Sequence, residues 1–148
     1  MHKIIATGLG IGYVREGGGS IAALVVAVVL YLVGSEHQLA VYIATACVIV
    51  TGVWSATRVE ELWGIDNKRV VIDEIAGMLV SVLFLPVTIP TLAAAFGLFR
   101  FFGIVKPLYI RRLEKLPKGW GVMADDVAAG LYTNVLLHVI VLFHPSLL

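Results

Sequence analysis

The chain has 148 residues, of which 59% are hydrophobic and only 14% are charged, and its mean hydropathy is +0.96. This composition excludes an ordinary soluble domain, because the chain has too few polar side chains to cover a water-exposed surface. The formal net charge of +1 predicts no nucleic-acid partner. We therefore expect an all-α membrane protein, since helices satisfy their own backbone hydrogen bonds inside a bilayer.

Five continuous apolar runs predict a polytopic bundle of about five membrane-embedded helices, which forms one domain over residues 1–148. The runs cover residues 21–33, 39–55, 70–89, 92–105 and 127–143. The first run is the weakest candidate, because its 13 residues would extend only about 20 Å as a helix. It predicts either a short, tilted span or a re-entrant segment.

Lysine and arginine residues are concentrated in alternate connections, which orients the predicted bundle. Residues 1–20 hold two of them, residues 58–69 hold three and residues 106–124 hold five, whereas the other connections hold none. Because basic loops remain in the cytoplasm, we expect a cytoplasmic N-terminus and cytoplasmic interfacial loops in these segments.

Two acidic pairs lie beside apolar segments, where charges are costly. Asp73 and Glu74 stand near the start of the third run, and Asp125 and Asp126 precede the fifth. An Asp at the centre of a bilayer costs roughly 2.5–3.5 kcal/mol, so intramembrane acids usually face a partner, a cavity or a metal ion. The pairs predict a cation site, although each would also suit the N-terminal cap of a helix.

Helical spacing indicates which polar groups share a face, because residues three or four apart lie on one side of a helix. Three ridges of polar or small residues recur at this spacing. They are Asp73, Gly77 and Ser81 in the third run, Arg100, Gly103 and Lys106 around the fourth, and Asp126, Gly130, Asn134 and His138 in the last. Since small residues permit close helix contact, we expect the ridges to converge at the cytoplasmic mouth of the bundle.

A glycine-rich stretch, Gly17 to Ser20, precedes the first apolar run. Free backbone N–H groups and a Ser N-cap at the start of a helix can receive a phosphate, and a flexible turn is the alternative. The absence of a following Gly-Lys-Ser/Thr sequence excludes a nucleotide P-loop. The sequence also lacks the motifs of covalent phosphatase nucleophiles, so a phosphatase of this sequence would use metal-activated water.

Three ordered blocks of the sequence resemble the phosphatidylglycerophosphatase A family. They are VVIDEIAGM at residues 70–78, FRFFGIVKPLYIR at residues 99–111 and GWGVMADDVAAG at residues 119–130. The similarity extends from Gly8 to about Asn134, and Asp66 falls where the family has an acid before its first block. The resemblance implies a magnesium-dependent enzyme of phospholipid biosynthesis in the bacterial inner membrane. Such an enzyme hydrolyses phosphatidylglycerophosphate to phosphatidylglycerol and inorganic phosphate.

In light of this resemblance, each candidate residue receives an expected role. We expect the acids to hold one or two Mg²⁺ ions and to activate water, and these are Asp73, Glu74, Asp125 and Asp126. We expect the substrate phosphate to be bound by Arg100, Lys106, Arg111 and Ser20. The active site would lie on the cytoplasmic side with the lipid tails in the bilayer, and small-residue helix faces are compatible with a homodimer.

The chain departs from the family pattern at two places. Gly103 stands where the family motif has an Asp, which removes a carboxylate from the face of Arg100 and Lys106. The glycine-rich loop is also shorter, with Arg15 and Glu16 in place of the family's usual residues.

Two functions from other classes are alternatives to an enzyme. An ion or proton transporter would use the buried acids in a relay with Asn134 and His138. A non-enzymatic scaffold is the other alternative, but it leaves the paired carboxylates unexplained.

Overall fold

The computed structural model describes residues 1–14, 16–33, 35–64, 67–107 and 109–144. Within those ranges the chain is helical and contains no β-strand, which confirms the all-α class. The α-helices are α1 (His2–Ala6), α2 (Gly18–Val33), α3 (Gln38–Trp63), α4 (Ile72–Ser81), α5 (Ile89–Val105), α6 (Ile110–Leu113) and α7 (Gly119–Phe143). Short 3-10 turns at Ile11–Tyr13 and Ser35–His37 precede α2 and α3.

Two of the described helices are long and apolar enough to cross a membrane, namely α3 with 26 residues and α7 with 25. The apolar helices α2 and α5 have 16 and 17 residues, and α4 has only 10. A bilayer core needs about 20 helical residues. The predicted polytopic bundle of about five membrane-embedded helices is therefore not confirmed, and the described part of the chain combines two candidate spans with shorter apolar helices.

The third apolar run does not form one long helix, because α4 ends at Ser81. Phe84 then adopts the left-handed conformation, with φ of 62°, and Pro86 follows two residues later. The side chain of Thr88 begins α5 by accepting a hydrogen bond from the backbone N–H of Thr91 at 3.2 Å. The intervening apolar residues belong to a turn whose Val82 and Leu85 are buried, which explains why apolar character overestimated the helix length.

The last helix begins at Gly119, earlier than the apolar run at residue 127 predicts. Asp125 and Asp126 therefore lie inside α7 and not at its N-terminus. In α4 the N-cap position is Val71, and no side chain makes a capping hydrogen bond there. Neither acidic pair provides the side-chain cap that was the alternative to a cation site.

Helices α4 and α7 approach each other backbone to backbone. A Cβ atom added to Gly130 would collide with the carbonyl oxygen of Gly77, and one added to Gly77 would lie 2.6 Å from the carbonyl oxygen of Asp126. The contact therefore requires glycine at both positions, as the small-residue spacing predicts. This crossing brings the first turn of α4 close to Asp126. Helix α7 also packs against α3, α5 and α6, so the crossing lies in the interior.

Large apolar side chains cover the outside of α2, α3, α5 and α7. Leu32, Val50, Ile104 and Leu142 are 76%, 69%, 72% and 76% exposed, respectively. Extensive apolar surface is unfavourable in water and is typical of contact with lipid or another apolar partner. The exterior therefore supports membrane association.

Candidate active site

Three carboxylates from two helices meet in the interior of the protein. One oxygen atom from each of Asp73, Glu74 and Asp126 lies within 4.8 Å of the others. Asp73 and Asp126 are only 9% and 8% exposed. Two buried oxygens, Oδ1 of Asp73 and Oε2 of Glu74, have no hydrogen-bond partner among the described residues. Because like charges repel strongly away from water, this donor set fits a hard divalent cation.

The N-terminal turn of α2 lies directly against this carboxylate group. A Cβ atom added to Gly19 would collide with the carboxylate of Glu74, so only glycine allows the approach. Gly17, two residues earlier, has a φ of 78°, a left-handed conformation that other residues rarely adopt. The glycine-rich stretch therefore forms a specific contact with the acids, which a merely flexible turn would not require.

A cavity of about 450 Å³ opens onto the carboxylates. Its described lining combines acids, bases and the glycine-rich turn. The lining residues are Val14, Glu16, Gly17, Gly18, Gly19, Ser20, Asn67, Lys68, Val70, Asp73, Glu74 and Arg100. The cavity therefore presents carboxylates, cations and the start of a helix to a single bound molecule.

Arg100 and Ser20 are the predicted phosphate ligands that line this cavity. Arg100 is half-buried in α5 and interacts electrostatically with Asp126. Among the described residues, no carboxylate lies within 4.0 Å of its guanidinium nitrogens. Its hydrogen-bond donors are therefore available to an anion beside the acids.

Asp125 and Lys106 are engaged with each other outside the three-carboxylate group. Lys106, in a left-handed conformation at the end of α5, donates from Nζ to Oδ2 of Asp125 at 2.8 Å and also to Glu114. Burial lowers the pKa of Lys106, but the hydrogen bonds and negative charges of its two partners outweigh burial and raise it above its ordinary value. Oδ1 of Asp125 accepts from the backbone N–H of Asp126 at 2.9 Å. Both oxygens of Asp125 are thus satisfied within the protein.

The chain matches the family model described as phosphatidylglycerophosphatase A over residues 4–141. It belongs to the phosphatidylglycerophosphatase A family. This membership confirms the resemblance of the three sequence blocks and the prediction that the chain is an enzyme.

Two similar proteins cover almost the whole chain. A Bacteroides thetaiotaomicron protein, which carries the provisional name phosphatidylinositol-3-phosphatase, is 38% identical over 144 residues, or 92% of this chain and 91% of that protein. A Haemophilus influenzae protein named phosphatidylglycerophosphatase A is 33% identical over 144 residues, or 93% of this chain and 86% of that protein. No solved structure gives a significant match.

For this member of the phosphatidylglycerophosphatase A family, the structure brings together five of the eight predicted site residues. They are Ser20, Asp73, Glu74, Arg100 and Asp126. Asp125 and Lys106 form their own pair, and Arg111 is exposed on α6, outside the described lining of the cavity. The predicted roles of these three residues remain untested predictions. Asp66, the other acid suggested by the family pattern, lies outside the described residues.

Sequence reasoning missed Asn67 and Lys68, which also line the cavity of this family member. The amide of Asn67 donates to the carbonyl oxygen of Trp63 at 3.1 Å, and its Oδ1 accepts from the backbone N–H of Arg69 at 3.2 Å. These bonds fix the loop that carries Lys68. The signal in the sequence was the position of Lys68 two residues before the block at residues 70–78.

Gly103, at which this chain departs from the phosphatidylglycerophosphatase A pattern, faces the acids. A Cβ atom added there would lie 3.7 Å from Oδ1 of Asp126, an ordinary van der Waals distance, with no other described atom within 4 Å outside its own helix. The position therefore has room for a side chain beside Asp126.

Two polar residues further along α7, Asn134 and His138, make hydrogen bonds to backbone carbonyl groups. The Asn134 amide donates to the carbonyl oxygens of Ser81 and Leu83 at 3.2 Å and 2.8 Å, which secures the end of α4. Nδ1 of His138 lies 2.9 Å from the carbonyl oxygen of Asn134. These contacts give Asn134 and His138 packing roles, and family membership gives no support to the transporter alternative.

Proposed function

We propose that this protein is a Mg²⁺-dependent phosphatase that converts phosphatidylglycerophosphate to phosphatidylglycerol and inorganic phosphate. The observation that carries this proposal is the group of Asp73, Glu74 and Asp126. Two buried oxygens of this group have no hydrogen-bond partner among the described residues, and Asp73 and Glu74 line the same cavity as Arg100. Clustered carboxylates in the same cavity as a guanidinium that has no carboxylate partner among the described residues suit phosphate-ester hydrolysis better than packing.

Asp73, Glu74 and Asp126 would hold the cation, since all three supply the oxygen donors that Mg²⁺ prefers. When bound, Mg²⁺ supplies Lewis-acid polarisation of phosphate oxygens and lowers the pKa of water. Asp125 is left out of this ligand set, because both of its oxygens are already engaged.

The chain's own residues would bind and orient the substrate phosphate. Arg100 donates hydrogen bonds to its oxygens and stabilises the charge that develops on them. Ser20 and the glycines at the start of α2 line the same cavity, and a helix N-terminus favours a bound anion. One carboxylate of the group orients a water molecule, whose oxygen forms the new bond to phosphorus. The ester P–O bond breaks, and a proton from that water passes to the leaving lipid oxygen, which departs as a hydroxyl group.

We further propose a multi-pass location in the bacterial inner membrane with the cavity on the cytoplasmic side. The apolar exterior of the helices supports lipid contact. The concentration of lysine and arginine in alternate connections supports the orientation. The substrate would keep its acyl chains in the bilayer, and a homodimer through small-residue helix faces is compatible with this arrangement.

The phosphatidylglycerophosphate substrate is supported by the family description and by the name of the Haemophilus influenzae relative. The Bacteroides thetaiotaomicron relative is named for a phosphoinositide instead. Headgroup preference is therefore the part of the proposal that needs direct measurement.

The test is phosphate release by the purified full-length protein in vesicles that contain phosphatidylglycerophosphate or phosphatidylinositol 3-phosphate, with Mg²⁺ or with EDTA. We expect Mg²⁺-dependent release that is fastest from phosphatidylglycerophosphate. Asp73→Asn should abolish it, whereas Glu36→Gln, which removes an exposed acid on another element, should not. Release that persists in EDTA, or in a folded Asp73→Asn variant, would overturn the proposed metal site. Faster release from the phosphoinositide would overturn the proposed substrate.

A further inference from the structure

We propose that Lys68 binds the phosphodiester group of the substrate, so that the cavity selects lipids that carry two phosphates, a diester and a terminal monoester. This inference rests on the proposed function and adds a specificity-determining residue to it. Its basis is the presence of two cationic side chains, Lys68 and Arg100, on different elements around one cavity.

The two cations occupy different environments. Arg100 is half-buried in α5 and lines the cavity together with Asp73 and Glu74. Lys68 is exposed on the loop before α4. No carboxylate lies within 4.0 Å of its ammonium nitrogen among the described residues. Arg100 is therefore the more buried of the two cations in the cavity, and Lys68 is the more accessible.

The neighbours of Lys68 show that its position in the cavity is specific. Arg69, the next residue, is directed elsewhere, with its guanidinium 5.9 Å from the ring centre of Tyr13 and 5.6 Å from that of Trp63. Asn67 bonds to the backbone on both sides of Lys68, and the backbone N–H of Val70 donates to the carbonyl oxygen of Asn67 at 2.9 Å. These bonds hold the loop in a turn that presents Lys68, and not Arg69, to the cavity.

The charges of the substrate match this arrangement. A phosphomonoester carries about −1.5 to −2 charges near neutral pH, and a diester adds one further negative charge at the other end of the headgroup. With the monoester at Arg100 and the carboxylate-bound cation, the diester is the remaining anion for Lys68. A cavity of about 450 Å³ lies within the usual range for a small-molecule site, roughly 300–1,000 Å³.

The experiment compares Lys68→Gln, Lys68→Arg and a matched control, Lys115→Gln, in the full-length protein. Lys115 is also exposed, but it lines a different cavity with Glu60 and Glu114, so its loss changes net charge equally. For Lys68→Gln we expect kcat/KM on phosphatidylglycerophosphate to fall about tenfold, chiefly through KM. Lys68→Arg should recover most of this loss, and Lys115→Gln should cause none.

Two ligands that separate the phosphates complete the design. Phosphatidylglycerol has only the diester, and inorganic phosphate resembles only the monoester. In Lys68→Gln, inhibition by phosphatidylglycerol should weaken about tenfold, whereas inhibition by inorganic phosphate should be unchanged. Equal weakening of both, an equal loss in Lys115→Gln, or no change in Lys68→Gln would each overturn the proposal.

Failure of this inference is distinguishable from failure of the proposed function. An active wild-type enzyme whose Lys68→Gln variant is unchanged would exclude the role of Lys68 alone. A wild-type enzyme without Mg²⁺-dependent phosphate release would exclude the function on which that role rests, and with it the role itself.

Discussion

Asp125 and Asp126 are neighbours in the sequence and both are 8% exposed, yet their hydrogen-bond partners differ. Asp125 faces Lys106 and Glu114, and both of its oxygens accept hydrogen bonds. Asp126 faces Asp73 and Glu74, where two oxygens of the group lack any described partner. The difference shows that burial alone does not define a site. Asp125 is hydrogen-bonded to a lysine of the protein, whereas the group that contains Asp126 has buried oxygens without a described partner and therefore suits a ligand.

The strongest test of this difference compares Asp126→Asn with Asp125→Asn. We expect Asp126→Asn to lower Mg²⁺-dependent phosphate release at least about 100-fold, because it removes a ligand of the proposed cation. Asp125→Asn should lower it much less, since that side chain is engaged by Lys106. Steady-state phosphate release measures both, with circular dichroism as the check on folding. Equal losses in two folded variants would contradict the distinction.

Arg100→Ala tests whether the guanidinium of Arg100 is needed beside the three carboxylates. We expect turnover to fall at least about tenfold, because the charge that develops on the phosphate loses its principal donor. Arg100→Lys should recover only part of the rate, since an ammonium group cannot donate two parallel hydrogen bonds. An unchanged rate for Arg100→Ala would assign the residue to packing or anchoring.

Gly19→Ala tests whether the first turn of α2 must touch Glu74. The added methyl group would collide with the carboxylate, so we expect kcat to fall about tenfold through displacement of one acid. Gly97→Ala is the matched control, because a Cβ atom there meets nothing within 4 Å among the described residues. That control should keep full activity. Full activity in both variants would show that the contact is dispensable.

Gly103→Asp adds a carboxylate next to Asp126 and not next to Asp125. The position accepts a Cβ atom at 3.7 Å from Asp126, so we expect normal folding. A further oxygen donor should lower the Mg²⁺ concentration for half-maximal activity about threefold. Gly103→Asn supplies the control with the same shape and no charge. A Mg²⁺ titration identical to that of the wild type would show that the added acid does not reach the ion.

Lys106→Met should have the smallest effect on activity and a clear effect on stability. It leaves Asp125 without its cation, and we expect the free energy of unfolding to fall by about 1–2 kcal/mol, which denaturant unfolding in detergent would measure. Phosphate release should stay within about threefold of wild type if the pair only supports the fold. A large rise in KM would instead restore the sequence-based prediction that Lys106 binds phosphate.

The all-α class, the family and the convergence of Asp73, Glu74, Asp126 and Arg100 could be predicted from the sequence. Composition determines the class, and ridges of small and polar residues indicate which helix faces meet. The Gly77 contact with α7 is the clearest success of this kind. This prediction needed only the spacing of small residues, because helices whose backbones approach closely have no room for larger side chains at the contact.

The side of α7 on which each Asp lies could not be predicted in the same way. Consecutive residues of a helix project about 100° apart, so Asp125 and Asp126 must separate, but their partners come from distant parts of the chain. The start of α7 was missed because the five basic residues in 106–124 indicated an interfacial connection. In the structure a Cβ atom at Gly119 would lie 2.5 Å from the backbone nitrogen of Thr57. That glycine therefore serves tertiary packing within a helix.

The crossing of Gly77 and Gly130 has a consequence for which ions the protein can accept. Main-chain atoms, which cannot rotate out of the way as side chains do, set the gap between the first turn of α4 and Asp126. If the proposed cation site lies in this gap, the distance between its acids could not easily increase to fit a larger ion. The site would therefore favour a small ion with short metal–oxygen distances, such as Mg²⁺, over the larger and more adaptable Ca²⁺.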